Sequence, residues 1–473
     1  MAAVFWFTRD LRLQDNGALA LAISAGAGPE TKSRVAAVYV VDGAEYASLE
    51  GIRQHSLTES LKALDDTLSG RLNVFSVEGS ASDDLGLRTA EKLALAATTI
   101  GAGVVYATRL FDPAGKKLQN QVGHALAARG IHLILEDSPY AVHPGTVRKP
   151  DGTRYRVYTP FFKAWDLAGA GAPIAVDTSS VDWRWISEAT GIPQPTKPAP
   201  FAVKAGEAFA LRTWERFKNR ALDQYDELRN RADLSGTSHL SHALAFGEIH
   251  PRTLIAQLAE SSAHTIYRKE LAWREFYADV LWHNPHTVTE YYEPRFAKMR
   301  YDTGALAEER LEAWKQGKTG YPMVDAGMRQ LLATGWMHNR VRMIVASFLV
   351  KDLHLEWQQG AAWFEANLSD FDVASNVHGW QWTAGCGTDA SPYYRIFNPI
   401  LQGLKFDPNG DYVRKYVPEL AHLDGADVHT PWEVIGGYAN GYPARIVDHD
   451  VERNESLARL EEIKVPLAGH KEG

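Results

Sequence analysis

The chain has 473 residues, and its hydrophobic content of 45% and charged content of 23% exclude a mainly disordered protein. This length exceeds what a single hydrophobic core usually supports, so two or three domains are expected. The formal net charge of −8 argues against a surface coated with nucleic acid, although it allows a local basic patch.

Signals for export or for membrane insertion are missing from the sequence. The one cysteine, Cys386, excludes an intramolecular disulfide framework and a cysteine-rich metal site. The stretch "MAAVFWFTRDLRLQDN" lacks the basic region and the long apolar run of a signal peptide. No apolar run reaches the roughly twenty residues of a membrane span. We therefore expect a cytoplasmic protein that does not cross a membrane.

Residues 1–135 are predicted to form an α/β domain. Amphipathic segments such as Ser56–Gly70 and Ser82–Ala97 lie between short apolar runs. Near-continuous apolar strands that alternate with helices indicate a doubly wound parallel sheet, which usually binds ligands at the carboxyl ends of its strands. No GxGxxG follows the first strand, so the dinucleotide fingerprint is absent. The predicted strands are Ala3–Phe7, Val35–Val41, Leu72–Val77, Gly103–Ala107 and His132–Glu136.

The rest of the chain is predicted to contain a connector and a helical domain. Residues 136–205 are rich in Pro, Gly and Thr, which is typical of a long surface connector, with one aromatic patch, "RYRVYTPFFKAWD". Residues 206–473 are predicted to be all-helical, because long helical patterns such as "YRKELAWREFYADVLW" follow one another.

Two segments of the helical domain are candidates for ligand binding. Thr237, Ser238 and Ser241 could offer hydroxyl and backbone N–H groups to a phosphate at a helix start, although ordinary helix capping explains them equally well. Glu270 and Trp273 are three residues apart, so both lie on one helix face. That pair could bind and stack on a nucleobase, or it could be a core tryptophan beside a solvated glutamate.

Polar side chains also follow one another in two later segments. The first segment precedes a strongly apolar helix and contains Asn339, Arg340, Arg342 and Met343. These side chains suit either a lined cavity or a structural ion pair. Asp370, Asp372 and Asn376 have calcium-loop spacing, but the glycine and the bidentate glutamate of that loop are missing. We therefore predict no metal site.

Three tryptophans, Trp357, Trp380 and Trp382, do not follow one helical stripe. Large aromatic side chains commonly fill protein cores, so core packing and a functional role are both open for each of them.

The ordered blocks along the chain resemble the photolyase/cryptochrome flavoprotein family, and within it the class I cyclobutane pyrimidine dimer photolyases. The blocks cover nearly the full length and include "FWFTRDLRLQDN", "YRVYTPFFKAW", "ELAWREFY", "GWMHNRVRMIVASFLVKDL" and "GWQWTAGCGTDASPYYRIFNP". The resemblance implies an N-terminal α/β domain, a connector, and a helical domain that binds FAD.

The resemblance also implies a role for individual residues in binding the flavin cofactor. Arg342 and Asp370 would pair beside the flavin, Asp372 would meet its polar edge, and Asn376 would face its N5 atom. The phosphate region of FAD would contact Tyr225, Thr237, Ser238, Leu240 and Ser241.

A second set of residues would act on DNA and on electrons. Trp380 and Trp357 would be the first two steps of a relay that photoreduces the flavin, and Arg395 would hold a backbone phosphate. Further cations near the DNA would be Arg340, Lys163 and Arg156. The cavity that receives the dimer would be lined by Glu270, Trp273, Asn339, Met343 and Trp382.

The implied activity is light-driven repair of cyclobutane pyrimidine dimers in UV-damaged DNA. Excited reduced FAD would donate one electron to a flipped-out dimer, and Glu270 would steady the dimer radical anion. A monomer is expected. The alternatives are a cryptochrome photoreceptor, whose plant members carry Asp where this chain has Asn376, and a (6-4) photolyase, whose two histidines would stand at Asn339 and Met343.

Two departures from the family pattern concern the relay and the antenna. The third relay tryptophan is missing, and Tyr301 is the nearest aromatic candidate. The Asn-Glu pattern of a folate antenna is replaced by Ala114 and Gly115. A deazaflavin antenna is therefore favoured over folate, while a flavin or no antenna stays open.

Overall fold

The computed structural model describes residues 2–27, 32–78, 85–388 and 394–464 of the chain. The start of the helix expected from Ser82 and the middle of the block "GWQWTAGCGTDASPYYRIFNP" lie outside these residues. Within the described ranges, no helix is long and apolar enough to cross a membrane.

The chain divides into two compact units whose segments alternate along the sequence. The first unit comprises Met1–Asp223, Ser238–Pro285 and Ser369–Asp372, and the second comprises Gln224–Thr237, His286–Leu368 and Val373–Gly473. The predicted domain boundaries near residues 135 and 205 depend on sequence patterns and composition, and they stay a prediction.

The first unit contains a parallel sheet with the strand order β3-β2-β1-β4-β5, and β6 also pairs with β2. Val4 on the central strand lies opposite Ala36 and Val105 of its two neighbours. The predicted α/β class is confirmed, and the first five strands match the predicted runs within a residue or two. The strands are β1 (Ala2–Phe7), β2 (Ser33–Asp42), β3 (Leu72–Val77), β4 (Val104–Thr108), β5 (His132–Glu136) and β6 (Val181–Trp183).

Both faces of this sheet are buried, which explains the continuous apolar runs. Phe5 and Phe7 belong to one core cluster, and Val4 and Trp6 belong to another on the opposite face. Because successive strand residues point to opposite faces, every residue of the central strand must be apolar to fill both cores.

Helices cover the sheet and form most of the second unit. Their starts carry the expected caps: Asn16, Asp112 and Asp448 each accept a backbone N–H in the first turn of the helix that follows. Up to residue 220 the helices are α1 (Gly17–Gly26), α2 (Gly43–Ser48), α3 (Gly51–Thr67), α4 (Leu85–Ile100), α5 (Pro113–Ala127), α6 (Tyr158–Ala168) and α7 (Glu207–Arg220). The later helices are α8 (Tyr225–Leu228), α9 (Ser241–Phe246), α10 (Pro251–Ile255), α11 (Ser262–His283), α12 (Ala305–Lys315), α13 (Pro322–Thr334), α14 (Asn339–Lys351), α15 (Trp357–Asn367), α16 (Val373–Ala384), α17 (Pro399–Phe406), α18 (Asp411–Tyr416) and α19 (His449–Glu462).

Helix α11 belongs to the first unit and binds the start of the predicted connector through two buried carboxylates. The Glu275 carboxylate accepts the backbone N–H groups of Ala141 and Val142. The Asp279 carboxylate accepts the N–H of Gly145 at 2.6 Å. These bonds satisfy backbone groups that have no partner in regular secondary structure, so they fix α11 against residues 141–145.

We expect Asp279→Asn to flatten the pH dependence of stability. Burial raises the pKa of Asp279 from 3.8 to about 6. The folded state therefore binds more protons than the unfolded state between these values, and this carboxyl lowers the free energy of unfolding as the pH rises through that window. One pKa unit corresponds to about 1.4 kcal/mol, so the loss is on the order of 3 kcal/mol.

Chemical denaturation of both proteins between about pH 4 and 8 measures this difference. An asparagine keeps an oxygen for the Gly145 N–H and carries no charge. Asp66→Asn is the control, because this side chain is exposed and the profile of the variant should run parallel to that of the parent protein. An Asp279→Asn profile with the parent slope would show that the buried charge costs nothing.

Candidate functional site

Helix α11 presents Glu270 and Trp273 on one half-buried face, as the three-residue spacing predicts. The Trp273 ring stacks on the ring of Tyr158, with centroids 3.7 Å apart and an interplanar angle of 9°. The Tyr158 hydroxyl donates a hydrogen bond of 2.6 Å to the carbonyl of Lys269. The indole is therefore held as a flat aromatic wall one helical turn from the Glu270 carboxylate.

Tyr158 was not predicted as a site residue, although it lies in the aromatic patch noted in the connector. That patch forms helix α6 instead of a surface loop, because its apolar side packs on α11. The Phe161 and Phe276 ring centroids are 5.0 Å apart, and Trp165 Nε1 donates to the Glu275 carboxylate at 2.5 Å. Four aromatic residues within eight positions were the available signal.

The predicted phosphate-binding residues are divided between the units. Ser238, Leu240 and Ser241 lie in the first unit, where Ser241 begins α9 and Leu240 is its buried N-cap residue without a side-chain cap. The Ser238 hydroxyl is hydrogen-bonded to that of Tyr267. Thr237 and Tyr225 lie in the second unit, and Tyr225 begins α8.

Asp370 and Asp372 lie in the first unit on a short segment fixed by His242, whose Nδ1 is 3.0 Å from the carbonyl oxygen of Ser369. Asp370 is 6% exposed. Asp372 lines a small cavity that adjoins the carboxyl ends of β1 and β4. Its other lining residues are Arg9, Leu110, Phe111, Asp112, Pro139, Tyr140, Ala245 and Arg274.

Charge is concentrated around that small cavity. The Arg9 guanidinium is 3.5 Å from the Asp112 carboxylate, and Arg274 lies over the ring of Tyr140 at 4.5 Å. Burial raises the pKa of Tyr140, and the nearby Asp372 carboxylate raises it further. Tyr140 therefore stays protonated and can act as a hydrogen-bond donor.

The second unit brings the other predicted flavin residues onto two packed helices, α14 and α16. Arg342, in the first turn of α14, donates from Nε to the Met337 carbonyl at 2.8 Å. Asn376 on α16 donates from Nδ2 to the carbonyl of Ala361 at 3.0 Å, which fixes its amide. Gly379 is half-buried, yet apart from its chain neighbours and the backbone of its own helix no heavy atom lies within 4 Å of the position its Cβ would take. This face of α16 therefore borders open space.

The predicted DNA-side residues of this unit are more exposed. Asn339 and Arg395 are exposed, whereas Met343 and Trp382 are half-buried. The backbone at Arg395 is held by the ammonium of Lys351, which donates to its carbonyl. Burial lowers the pKa of Lys351 to about 7.

Arg340 has protein partners of its own. Its guanidinium donates to Asn230 Oδ1 at 2.8 Å and lies 4.7 Å above the ring of Phe406. These contacts orient the cation, so any phosphate would meet a group already held in place.

Trp380 and Trp357 are both buried in the second unit, at 2% and 1% exposure. Helix α15 begins at Trp357, and Gly360 follows one turn later. A Cβ on Gly360 would lie 2.1 Å from Cη2 of Trp380, so only glycine lets that ring pack against α15. Within the described part of the chain, the indole N–H groups of Trp357, Trp380 and Trp382 are buried and have no hydrogen-bond partner.

Gln381, between two of these tryptophans, has a structural role that was not predicted. Its side chain is fully buried, accepts the N–H of Tyr292 at 2.7 Å and donates to the carbonyls of Thr287 and Glu290. The glutamine therefore anchors α16 to the segment that begins at residue 286.

A larger cavity of about 680 Å³ lies in the first unit at the carboxyl ends of β2 and β3. It is distant in sequence from Ala114 and Gly115, where the folate pattern would stand. Gly115 is buried against Leu110, and Ala114 is exposed. The cavity is lined by Val41, Gly43, Ala44, Tyr46, Ser76, Glu78, Arg88, Pro193, Gln194 and Thr196.

Within the described ranges, no group of three or more His, Cys, Asp or Glu side chains could hold a metal ion.

Comparison with known proteins places both regions of the chain. A model of DNA photolyase matches residues 3–177, and a model of the FAD binding domain of DNA photolyase matches residues 267–462.

Individual relatives agree with these matches. A deoxyribodipyrimidine photo-lyase of Vibrio cholerae is 36% identical over 96% of this chain and 97% of its own length. A class III photolyase from Agrobacterium tumefaciens superposes with a TM-score of 0.86 at 36% identity, over 98% of each chain. An archaeal photolyase from Sulfolobus tokodaii, solved with two FAD molecules, gives 0.81 at 26% identity over 98% of this chain and all of that one. The chain therefore belongs to the DNA photolyase family.

Proposed function

We propose that the chain repairs cyclobutane pyrimidine dimers in UV-damaged DNA with light absorbed by bound FAD. The observation that carries this proposal is the wall formed by Trp273 and Tyr158 beside the Glu270 carboxylate. Two adjacent pyrimidines have flat faces that suit such a wall, and their carbonyl edges suit a carboxyl group. The Vibrio cholerae relative carries the name deoxyribodipyrimidine photo-lyase, which supports the same substrate class.

The cofactor would occupy the space that borders α16. Half-buried Gly379 leaves room for a planar ring system beside Asn376, which fits a flavin. When bound, FAD would supply the one-electron chemistry of repair. The residues that would hold it are Tyr225, Thr237, Ser238, Leu240, Ser241, Arg342, Asp370, Asp372 and Asn376.

The chain's own residues would orient the dimer and exclude water from it. A lesion-distorted pair is weakly stacked, so flipping it out costs only a few kcal/mol. Glu270 in its protonated form would donate a hydrogen bond to a dimer carbonyl, and Trp273 would stack on the bases. Asn339, Met343 and Trp382 would also contact the dimer, and Arg395 would hold a phosphate.

Trp380 and Trp357 would deliver electrons to the cofactor during photoreduction. The packing of the Trp380 ring at Gly360, one helical turn after Trp357 on α15, supports this role. We further propose that the protein acts as a monomer.

The cavity at the carboxyl ends of β2 and β3 is our candidate for the antenna site. Its volume of about 680 Å³ lies in the range of cofactor pockets. A planar tricyclic chromophore, a deazaflavin or a flavin, suits it better than a folate, whose expected Asn-Glu pair is missing. The Sulfolobus tokodaii structure with two FAD molecules supports a flavin-like second ligand.

A repair assay tests the activity directly. An oligonucleotide with one thymine dimer, incubated with reductant under blue light, should recover thymine absorbance, while the dark sample should not. Glu270→Gln, which keeps a hydrogen-bond donor, should retain most of the repair yield, and Glu270→Ala should lose most of it. Light-driven reduction of the flavin without repair would instead favour a photoreceptor, and repair of a (6-4) photoproduct alone would favour that alternative.

The flavin site is tested by filling the space at Gly379. Gly379→Leu should purify with much less FAD, because the side chain would occupy the volume that the ring needs. The flavin-free variant should unfold at nearly the temperature of the flavin-free parent protein. Gly123→Leu on α5, also half-buried, is the control and should keep its FAD. A Gly379→Leu protein with full FAD content would place the flavin elsewhere.

The antenna site is tested by filling the other cavity. Titration of purified protein with a deazaflavin, a flavin mononucleotide and a folate, followed by fluorescence quenching, should show binding of a tricyclic compound. Ala44→Trp should abolish that binding and keep the FAD, whereas Ala127→Trp, at an exposed position of α5, should leave it unchanged. Folate binding that Ala44→Trp does not alter would exclude this cavity as the antenna site.

A further inference from the structure

Two tyrosines continue the aromatic path from Trp357 towards solvent. The Tyr291 ring meets Trp357 edge to face at a centroid distance of 6.2 Å. The Tyr301 ring stacks on Tyr291 at 6.5 Å with an interplanar angle of 17°. Tyr291 is 7% exposed, whereas Tyr301 is only half-buried. The three rings therefore lead from the core of the second unit to its surface.

Hydrogen bonds beside these rings form a path for a proton. The Tyr291 hydroxyl donates to Glu356 Oε1 at 3.1 Å, and the hydroxyls of Tyr291 and Tyr301 are hydrogen-bonded to each other. Glu356 is the N-cap residue of α15, yet its side chain makes no capping bond. Its carboxylate is therefore turned to Tyr291 and can accept a phenolic proton.

This proton acceptor distinguishes the tyrosines from the tryptophans. The buried indole N–H groups of Trp380 and Trp357 have no acceptor among the described residues, so an oxidised indole there would keep its proton and stay positively charged. Oxidation of a phenol becomes favourable when its proton leaves with the electron. The oxidising equivalent should therefore pass through the tryptophans and form a long-lived radical on a tyrosine.

Two other tryptophans of this unit are less suited to carry the oxidising equivalent to solvent. Trp314 lies 6.1 Å from Trp380, but it is fully buried and its N–H is bonded to the Val345 carbonyl. Trp363 on α15 is half-buried, but the Lys315 ammonium lies 5.1 Å over its ring. A cation at that place opposes a second positive charge on the indole.

We propose that Tyr291 and Tyr301 carry the oxidising equivalent from Trp357 to solvent, with Glu356 as the proton acceptor. This inference depends on the proposed light-driven function, in which bound flavin would serve as the oxidant for Trp380. Tyr291 gives one electron to oxidised Trp357 and its phenolic proton to Glu356. Tyr301 then passes a hydrogen atom to the Tyr291 oxygen, and a soluble thiol restores Tyr301 by donating a hydrogen atom.

Electron paramagnetic resonance and transient absorption after a light flash test this assignment in the FAD-containing protein. The long-lived radical should be a neutral tyrosyl, identified by the change of its hyperfine pattern when ring-deuterated tyrosine is incorporated. Tyr301→Phe should leave a tyrosyl at Tyr291 that thiol reaches more slowly. Tyr291→Phe should replace the tyrosyl by a tryptophan radical.

The proton acceptor is tested separately by Glu356→Gln. Loss of a positioned base typically slows a proton transfer by about 100-fold or more, so tyrosyl formation should slow by that order. It should also be slower in D2O than in H2O in the parent protein. Tyr412→Phe is the matched control, because Tyr412 is a buried tyrosine with a hydrogen bond to Gln330 and no place in this path.

The outcomes separate this inference from the proposed function. The parent protein could photoreduce its flavin and repair the dimer while showing only a tryptophan radical. That result would overturn the tyrosine path and leave the repair function intact. An unchanged tyrosyl in both Tyr291→Phe and Tyr301→Phe would overturn it as well. A flavin that does not photoreduce at all in the parent protein would instead remove the light-driven function on which the path depends.

Discussion

The first unit depends on buried carboxylates on α11. Glu275 holds two backbone N–H groups and the Trp165 indole, and Asp279 holds a third N–H. Each of these donors would cost about 1–3 kcal/mol if it were buried without an acceptor. Because the bonds fix one side of α11, the other side presents Glu270 and Trp273 in a defined orientation. The stack with Tyr158 is a second consequence, since α6 follows from the same anchoring.

Close packing of helices, more than charge, stabilises the second unit. Helices α14, α15 and α16 pack on one another, and Gly360 removes the side chain that would separate Trp380 from α15. Gln381 then binds α16 to the segment after residue 286 through three hydrogen bonds. The rings that would carry electrons therefore lie on the same packed helices as Arg342 and Asn376, two of the residues that would meet the flavin.

Sequence patterns predicted the parallel sheet well, because strands buried on both faces must be apolar throughout, as in Val4–Phe7. The connector was harder: α6 and the three-residue strand β6 depend on contacts with α11 and β2, which local composition does not reveal. Gln381 was seen only as a spacer, since its partners lie about ninety residues earlier in the chain. The large cavity escaped notice because residues near 44, 88 and 194 form it together. Assignment to the class I branch stays a prediction, and a class III enzyme is among the similar structures.

The dry surroundings of Trp380 have a further consequence. Its ring is packed against Gly360 and Phe364, and its N–H makes no hydrogen bond to the described residues. When such a buried ring loses or gains an electron, few polar groups beside it can reorient. The reorganisation energy of the transfer is then small, because close-packed apolar neighbours cannot move far. Rigid packing therefore favours fast charge transfer through this ring. Slow solvent relaxation, which would otherwise control charge recombination, has little effect at this position.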